Sequence, residues 1–298
     1  MKKSFFIAVA VSLMLICAPV VQAGCHYVNG VEGIKAATIP PPGFYYRMYN
    51  VYLANDEYKD DHGNESGDFD LDVFCQAHRF IWVADYQLLG ADFFADIGIP
   101  LVYTNIRMGA GDVTWVDENQ FGMGDILLEP FALAWHGPRY DAAVALGVYL
   151  PVGRYNVNKP NASPGKNYWT GITQFGGTLY LDKEKKWSVS LLARYEINSE
   201  NSETELTRGD FFSLEWGLGS KLGQGWEIGV AGYSEWQVTD DSGNGATENR
   251  TQLSAVGPEI NYFLVPLKTN MTLRYLKQFG AKNTSEGSMA ILTLTYVF

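Results

Sequence analysis

Apolar and polar positions alternate with a period of two along much of the chain. Tyr140, Ala142, Val144, Leu146, Val148 and Leu150 interleave with Asp141, Ala143, Ala145, Gly147 and Tyr149. Trp187, Val189, Leu191, Ala193, Tyr195 and Ile197 interleave with Ser188, Ser190, Leu192, Arg194, Glu196 and Asn198. Phe212, Leu214, Trp216 and Leu218, and then Trp226, Ile228 and Val230, repeat the pattern. Period two is that of a pleated strand, whose successive side chains point to opposite faces. These runs reach about ten residues, the length a tilted strand needs to cross hydrocarbon, whereas strands average about five or six in soluble proteins. Trp187, Tyr195, Trp226, Trp236 and Tyr140 fall toward the ends of the apolar faces, where the aromatic girdles of a membrane barrel belong.

Marking every such run gives about twelve strands, starting near Phe44, Asp70, Ala91, Gly124, Tyr140, Tyr168, Trp187, Phe211, Trp226, Gln252, Asn270 and Ser288. Long polar connections are expected at Asn55 to Phe69, Asn105 to Gly122, Val152 to Lys166, Glu200 to Arg208, Asp240 to Arg250 and Gly280 to Gly287. Short ones are expected at His136 to Arg139, Asp182 to Lys186, Gly223 to Gly225 and Val265 to Thr269. An even number of strands, with long loops on one rim and tight turns on the other, is the pattern of an outer-membrane barrel whose termini both lie in the periplasm. The last strand places Ala290, Leu292, Leu294, Tyr296 and the terminal Phe298 on one face. That ending resembles the signal by which the bacterial assembly machinery recognises barrels, which gives Tyr296 and Phe298 that role.

Composition adds exclusions. Charged residues make up 18% of the 298, with 31 glycines, 18 Tyr, 16 Phe and 8 Trp. A helix-rich enzyme would carry more Ala, Leu, Glu and Lys on its surface. The net charge of -11 argues against nucleic acid as a partner, since that needs a cationic stripe. Lys2 and Lys3, the apolar run from Phe5 to Val20, and Val21-Gln22-Ala23 read as a secretory signal over residues 1–23, with Gly24 as the first mature residue. Gln22 stands where a lipoprotein signal carries a leucine-like residue, which favours plain cleavage over lipidation of Cys25. No later run reaches the roughly 18 apolar residues of a membrane helix. Residues 24–43 form an amino-terminal tail ending in Pro40-Pro41-Pro42-Gly43, and residues 44–298 form the barrel. The prolines favour an extended segment, folded into the lumen, resting at its periplasmic mouth, or left as a disordered leader.

Candidate chemistry is sparse. The mature chain has His26, His62, His78 and His136, no G-x-S-x-G, and no evident nucleophile with base and orienting acid. Asp240, Ser242, Asn244 and Gly245 copy the start of a calcium loop, but Thr251 stands where its bidentate Glu belongs. The paired glycines at 109–111 and 122–124 complete no phosphate-binding fingerprint. Neither metal nor cofactor is therefore assigned. Cys25 and Cys75 are either bonded or free; grouping Cys75 with Leu71, Val73, Ile81 and Val83 points it toward lipid, away from a tail in the lumen. Asp125, Glu129, Asp141, Arg194, Glu196, Glu215, Glu227, Tyr233, Glu235, Gln237, Glu259, Asn261 and Arg274 fall opposite the lipid-facing sets. Charges cannot stay unpaired in hydrocarbon, so these face a lumen, either as a salt-bridged filling or as the lining of a passage.

Glu32-Gly33-Ile34-Lys35, Pro41-Pro42-Gly43-Phe44-Tyr45, Asn198 with Gly209-Asp210, Gly232-Tyr233, Gln237-Val238-Thr239-Asp240-Asp241-Ser242-Gly243, Gly257-Pro258 and the terminal aromatic strand follow one another along nearly the whole mature chain. In this order they resemble the outer-membrane family named for the meta-pathway of phenol degradation, whose members are regarded as transporters. Gln278-Phe279, where the family often has an acid, and Asn283-Thr284-Ser285-Glu286-Gly287, which lacks its frequent Arg-Pro, depart from that pattern. The resemblance implies passive uptake of a small hydrophobic or aromatic molecule through a barrel set in outer-membrane lipid. Tyr45, Tyr49, Arg194, Glu196, Glu215, Glu227, Tyr233, Glu235, Glu259 and Arg274 are the expected lumen or pathway residues. A closed structural or adhesive barrel without a substrate is the alternative, and an outer-membrane lipid-modifying enzyme is a third reading.

Overall fold

In the computed structural model, residues 24–298 are described; the expected signal segment, 1–23, lies outside the described residues. The strands of the first half are β1 (Gly43–Lys59), β2 (Asp68–Leu88), β3 (Ala91–Ala110), β4 (Val113–Met123), β5 (Ile126–His136), β6 (Tyr140–Leu150), β7 (Thr170–Tyr180) and β8 (Trp187–Asn198). After β8 come β9 (Glu200–Asn201), β10 (Leu206–Thr207), β11 (Phe211–Leu222), β12 (Trp226–Gln237), β13 (Ser242–Gly243), β14 (Gln252–Leu264), β15 (Thr269–Lys282) and β16 (Thr284–Val297). The two-residue strands β9, β10 and β13 form a separate small sheet. All the others pair antiparallel in one sheet, which closes where β1 meets β16, from Tyr45 opposite Val297 to Lys59 opposite Thr284. Closure leaves no edge, so every wall strand finds its backbone partners within the protein, as hydrocarbon demands.

β4 and β5 are two halves of one wall strand, which makes this a twelve-stranded barrel of the bacterial outer membrane. Both halves pair with β3, β4 along Leu101–Ala110 and β5 along Asp92–Gly98. Between them the ladder breaks beside Pro100, which has no N–H to donate; its carbonyl still accepts the Gly124 N–H at 2.9 Å. Tyr52, Phe74, Trp82, Leu146, Trp187, Leu191, Leu218 and Leu273 are exposed on the outer face, where they form an apolar belt. Tyr296 and Phe298 lie exposed on the same face, with Phe298 edge-on to the Phe44 ring at the closing seam.

Two of the expected long loops are instead mostly strand. The stretch 105–122 is a hairpin that carries β3 and β4 past the barrel wall and turns at Gly111, φ 58°. The stretch 280–287 belongs to β15 and β16, which turn at Asn283, φ 49°. Asn and Gly accept this left-handed conformation readily. One register is also reversed: Leu71, Cys75, Ile81 and Val83 are buried in the interior, while Phe74, Phe80 and Trp82 face outward. The two cysteines are unbonded and both buried. Apart from Arg79 the inward face of β2 is apolar, while the outward face mixes Asp70, Asp72, Gln76 and His78 with its aromatics, so alternation points to the wrong face.

The remaining long connections, 60–67, 151–169, 199–210 and 238–251, share one rim with those two hairpin turns. The short turns share the other with the start of β1 and the end of β16. With the short-turn rim in the periplasm, a cysteine replacing the exposed Thr247 should react with an impermeant maleimide on intact cells, and one replacing the exposed Lys183 should react only after lysis. Labelling of the Lys183 site alone in intact cells would reverse the orientation.

Candidate functional site

The tail runs through the lumen from one rim to the other. His26, at its start, contacts Asp125 and Thr170 near the long-loop rim, while Thr38 bonds Asp141 and Thr178 near the short-turn rim. Wall carboxylates hold its backbone: Glu196 accepts the N–H groups of His26 and Tyr27 at 2.6 and 3.0 Å, Glu215 that of Glu32 at 3.1 Å, and Glu259 that of Ile34 at 3.0 Å. Glu235 accepts Asn29 Nδ2 at 2.7 Å, and Arg274 donates to the Gly30 carbonyl. At Gly33, φ 62°, a Cβ would overlap the Arg274 guanidinium, so the close approach of tail to wall requires glycine there.

Four arginines pair with five of the acids. Arg194 bonds Glu215 at 2.5 Å and lies 3.8 Å over the Tyr27 ring. Arg274 bonds Glu259 at 2.7 Å, and Arg79 bonds Asp96 at 2.8 Å and Glu129 at 2.5 Å. Arg47 and Arg79 face each other directly on β1 and β2, a repulsive placement. Glu32 of the tail resolves it, binding Arg47 at 2.9 Å and Arg79 at 3.0 Å while accepting the Tyr27 and Tyr49 hydroxyls.

The opposite wall is apolar. Between the tail and the inner faces of β1, β2 and β3 lies a cavity of about 330 Å³ whose wall includes Val51, Leu53, Leu71, Val73, Cys75, Ala77, Val102 and Ile106. The 151–169 connection folds over it, with Pro160 and Pro164 in the lining. Asp125 anchors that connection through the N–H groups of Gly153 and Lys166, and Glu118 through those of Asn161 and Ala162. Toward the short-turn rim is a second cavity of about 50 Å³, lined by Glu32, Arg47 and Asp96 among others. Arg79 borders both cavities and, bonded to Glu32, stands between them.

The model of a family described by the MetA-pathway of phenol degradation matches residues 55–294. The chain belongs to this family. None of the curated proteins matches it. Among solved structures, an outer membrane channel from Pseudomonas putida F1 is similar over 88% of this chain and 97% of its own, with 17% identity and a TM-score of 0.78. The beta domain of the Bordetella autotransporter BrkA is more remote, at 12% identity over 86% of this chain and 99% of its own, with a TM-score of 0.48. The first likeness is one of fold.

In this family member the sequence-selected residues divide by position. Tyr49, Tyr233 and Glu235 line the large cavity, and Arg194 the small one. Tyr45 lines neither; its hydroxyl donates to the Pro41 carbonyl at 2.6 Å. Glu196, Glu215, Glu259 and Arg274 grip the tail, and Glu227 binds its Lys35 at 2.5 Å. Sequence reasoning missed Glu32, Arg47, Arg79 and Asp96. The alternation of Tyr45, Arg47 and Tyr49 in β1 was the available signal for Arg47. His26 sits between Thr170 Oγ1 at 2.8 Å and Asp125 at 3.1 Å, an array that resembles a nucleophile with its base. However, Thr170 is fully buried and its hydroxyl donates to Asn198 at 2.7 Å, so the array positions the tail. Asp60, Asp61 and His62 are the one group of possible metal ligands among the described residues; Asp61 and His62 are exposed, and Asp60 already caps its turn by accepting the His62 and Asn64 N–H groups.

Removing one partner of a buried ion pair costs about 3 to 5 kcal/mol. Arg194→Ala should therefore lower the urea midpoint of the folded barrel well below that of Leu191→Ile, a change on the exposed face. Glu32→Ala leaves Arg47 and Arg79 opposed, and the tail should loosen. Trypsin is then expected to cut after Lys35 in the folded variant and to spare it in the wild type, as read by mass spectrometry.

Proposed function

We propose that the protein is a passive outer-membrane channel for a small hydrophobic or aromatic compound, and that the cavity against β1–β3 is the chamber the compound enters. One observation carries the reading. In a lumen otherwise dense with charge, the inner faces of β1, β2 and β3 on the long-loop side of Arg47, Arg79 and Asp96 are largely apolar and leave about 330 Å³ unfilled. A volume of this order lies within the range of small-molecule sites, and its lining rewards burial of an apolar solute rather than a sugar or an ion. The outer-membrane location and the family support the same reading. Tyr49 and Tyr233 offer hydroxyls at the edge of the chamber, and Arg79 with Glu32 forms the barrier that a solute must pass toward the periplasm. Tyr296 and Phe298 are assigned to recognition by the assembly machinery, and the exposed apolar belt to outer-membrane lipid.

A second reading, a closed structural barrel, is favoured by the tail and its ion pairs, which fill the rest of the lumen. Uptake by liposomes carrying the purified barrel separates the two when phenols, alkanes and sugars are compared. Phenols or alkanes should enter and sugars should not. Ala77→Trp or Val102→Trp should cut entry at least about tenfold in a folded barrel, since a rigid indole projecting from the wall narrows a chamber this size. No entry of any compound into wild-type liposomes would favour the closed barrel.

A further inference from the structure

We propose that cutting the chain between Ala23 and Gly24 creates an amino terminus whose ammonium group is seated against the buried carboxylate of Glu235, latching the long-loop end of the tail. Hydrolysis of that peptide bond by a signal peptidase consumes one water and leaves a carboxylate on Ala23 and an ammonium on Gly24. The uncut chain has only a neutral amide at this point.

Glu235, on β12, is 6% exposed and points into the lumen. Its carboxylate accepts from Asn29 Nδ2 and meets the Cys25 thiol, both neutral donors. Among the described residues, no Lys, Arg or His lies within ion-pair distance of it, in contrast to Glu215 and Glu259 beside it on the wall. Gly24 packs so tightly on Glu235 that a Cβ at position 24 would overlap Oε1, and the Phe211 ring closes the other side at 3.6 Å from that Cβ. The residue that becomes the terminus is thus the one in contact with the carboxylate lacking a cation.

The surrounding charges support the assignment. Glu196 on β8 accepts two tail N–H groups and has no ion pair among the described residues. Asp125 faces His26 at 3.1 Å. Lys166 directs its ammonium to the carbonyls of Gly24 and Cys25, at 3.2 and 2.8 Å, drawing the start of the tail toward the 151–169 connection. Three carboxylates therefore meet Lys166 and His26, and the new ammonium supplies a further cation where a buried carboxylate is costly without one. A terminus extended by even one residue moves its charge off Glu235, so the latch also measures where the chain is cut.

The test is acetylation of the purified barrel at neutral pH with limiting reagent, read by peptide mass spectrometry against the exposed Lys183 as internal reference. Only the free amine reacts, and one unit of pKa changes its fraction about tenfold. The folded wild type should begin at Gly24, with its terminal amine at least about tenfold less reactive than in urea. Glu235→Gln should lose most of that protection while keeping heat-modifiable mobility. A variant with one Ala inserted before Gly24 should lose it with Glu235 intact, and it decides the matter if Glu235→Gln does not fold. A different first residue, an acylated terminus, or equal protection in wild type and the folded variants would overturn the proposal. Transport does not enter this readout, so it stands or falls apart from the channel reading.

Discussion

A carboxylate buried in the filled lumen of this barrel is shut away from bulk water and cannot leave, because the strand that carries it is fixed on both sides by its neighbours. Its only recourse is a donor brought into the lumen. Here β8, β11, β12 and β14 present Glu196, Glu215, Glu235 and Glu259, and the tail answers with main-chain N–H groups, the Asn29 amide and the carbonyl that accepts from Arg274. Hydrogen bonds to charged groups are worth about 1.5–3 kcal/mol each, and the unmade alternative costs more. The path of residues 24–42 follows from that demand. An extended segment with unpaired N–H groups is a suitable filler, because it can meet acceptors along its whole length.

The same demand explains where the lumen stays open. The inner faces of β1, β2 and β3 around Val51, Val73, Cys75 and Val102 carry no charge, with Asn55 and Thr104 as neutral polar groups beyond them, so little draws the tail toward them. It lies against the charged wall, and the unfilled space falls on the apolar side. The exception is the level of Arg47 and Arg79, where Glu32 reaches across and the two cavities part. Charge on one wall and its absence on the other thus decide both the position of the plug and the polarity of the chamber.

Strands with one clearly polar face were legible in the sequence. β8, with Arg194 and Glu196 opposite Leu191 and Ile197, and β11 and β12 begin where the alternation places them. Two kinds of element escaped. In the β3–β4 hairpin one face carries Asn105, Arg107, Asp117 and Asn119 and the other mixes buried Ile106, Met108 and Val116 with Glu118 and Gln120, so the run resembles a loop. Where the lumen-facing side is the more apolar one, as in β2 apart from Arg79, the period survives but its phase is inverted, which put Cys75 on the wrong side. The prolines marked out the tail but not its path through the lumen. Most of its wall partners lie from 103 to 244 residues away in sequence, and no pattern within a window of the chain records such contacts.

Those separations also bear on how the two ends of the sheet are joined. Through Glu32 the tail bonds Arg47 and Arg79 on β1 and β2, and through Gly30 and Ile34 it bonds Arg274 and Glu259 on β15 and β14. These strands stand on either side of the seam where β16 meets β1. One short segment thus spans the joint from within, a brace across the place where the wall closes on itself.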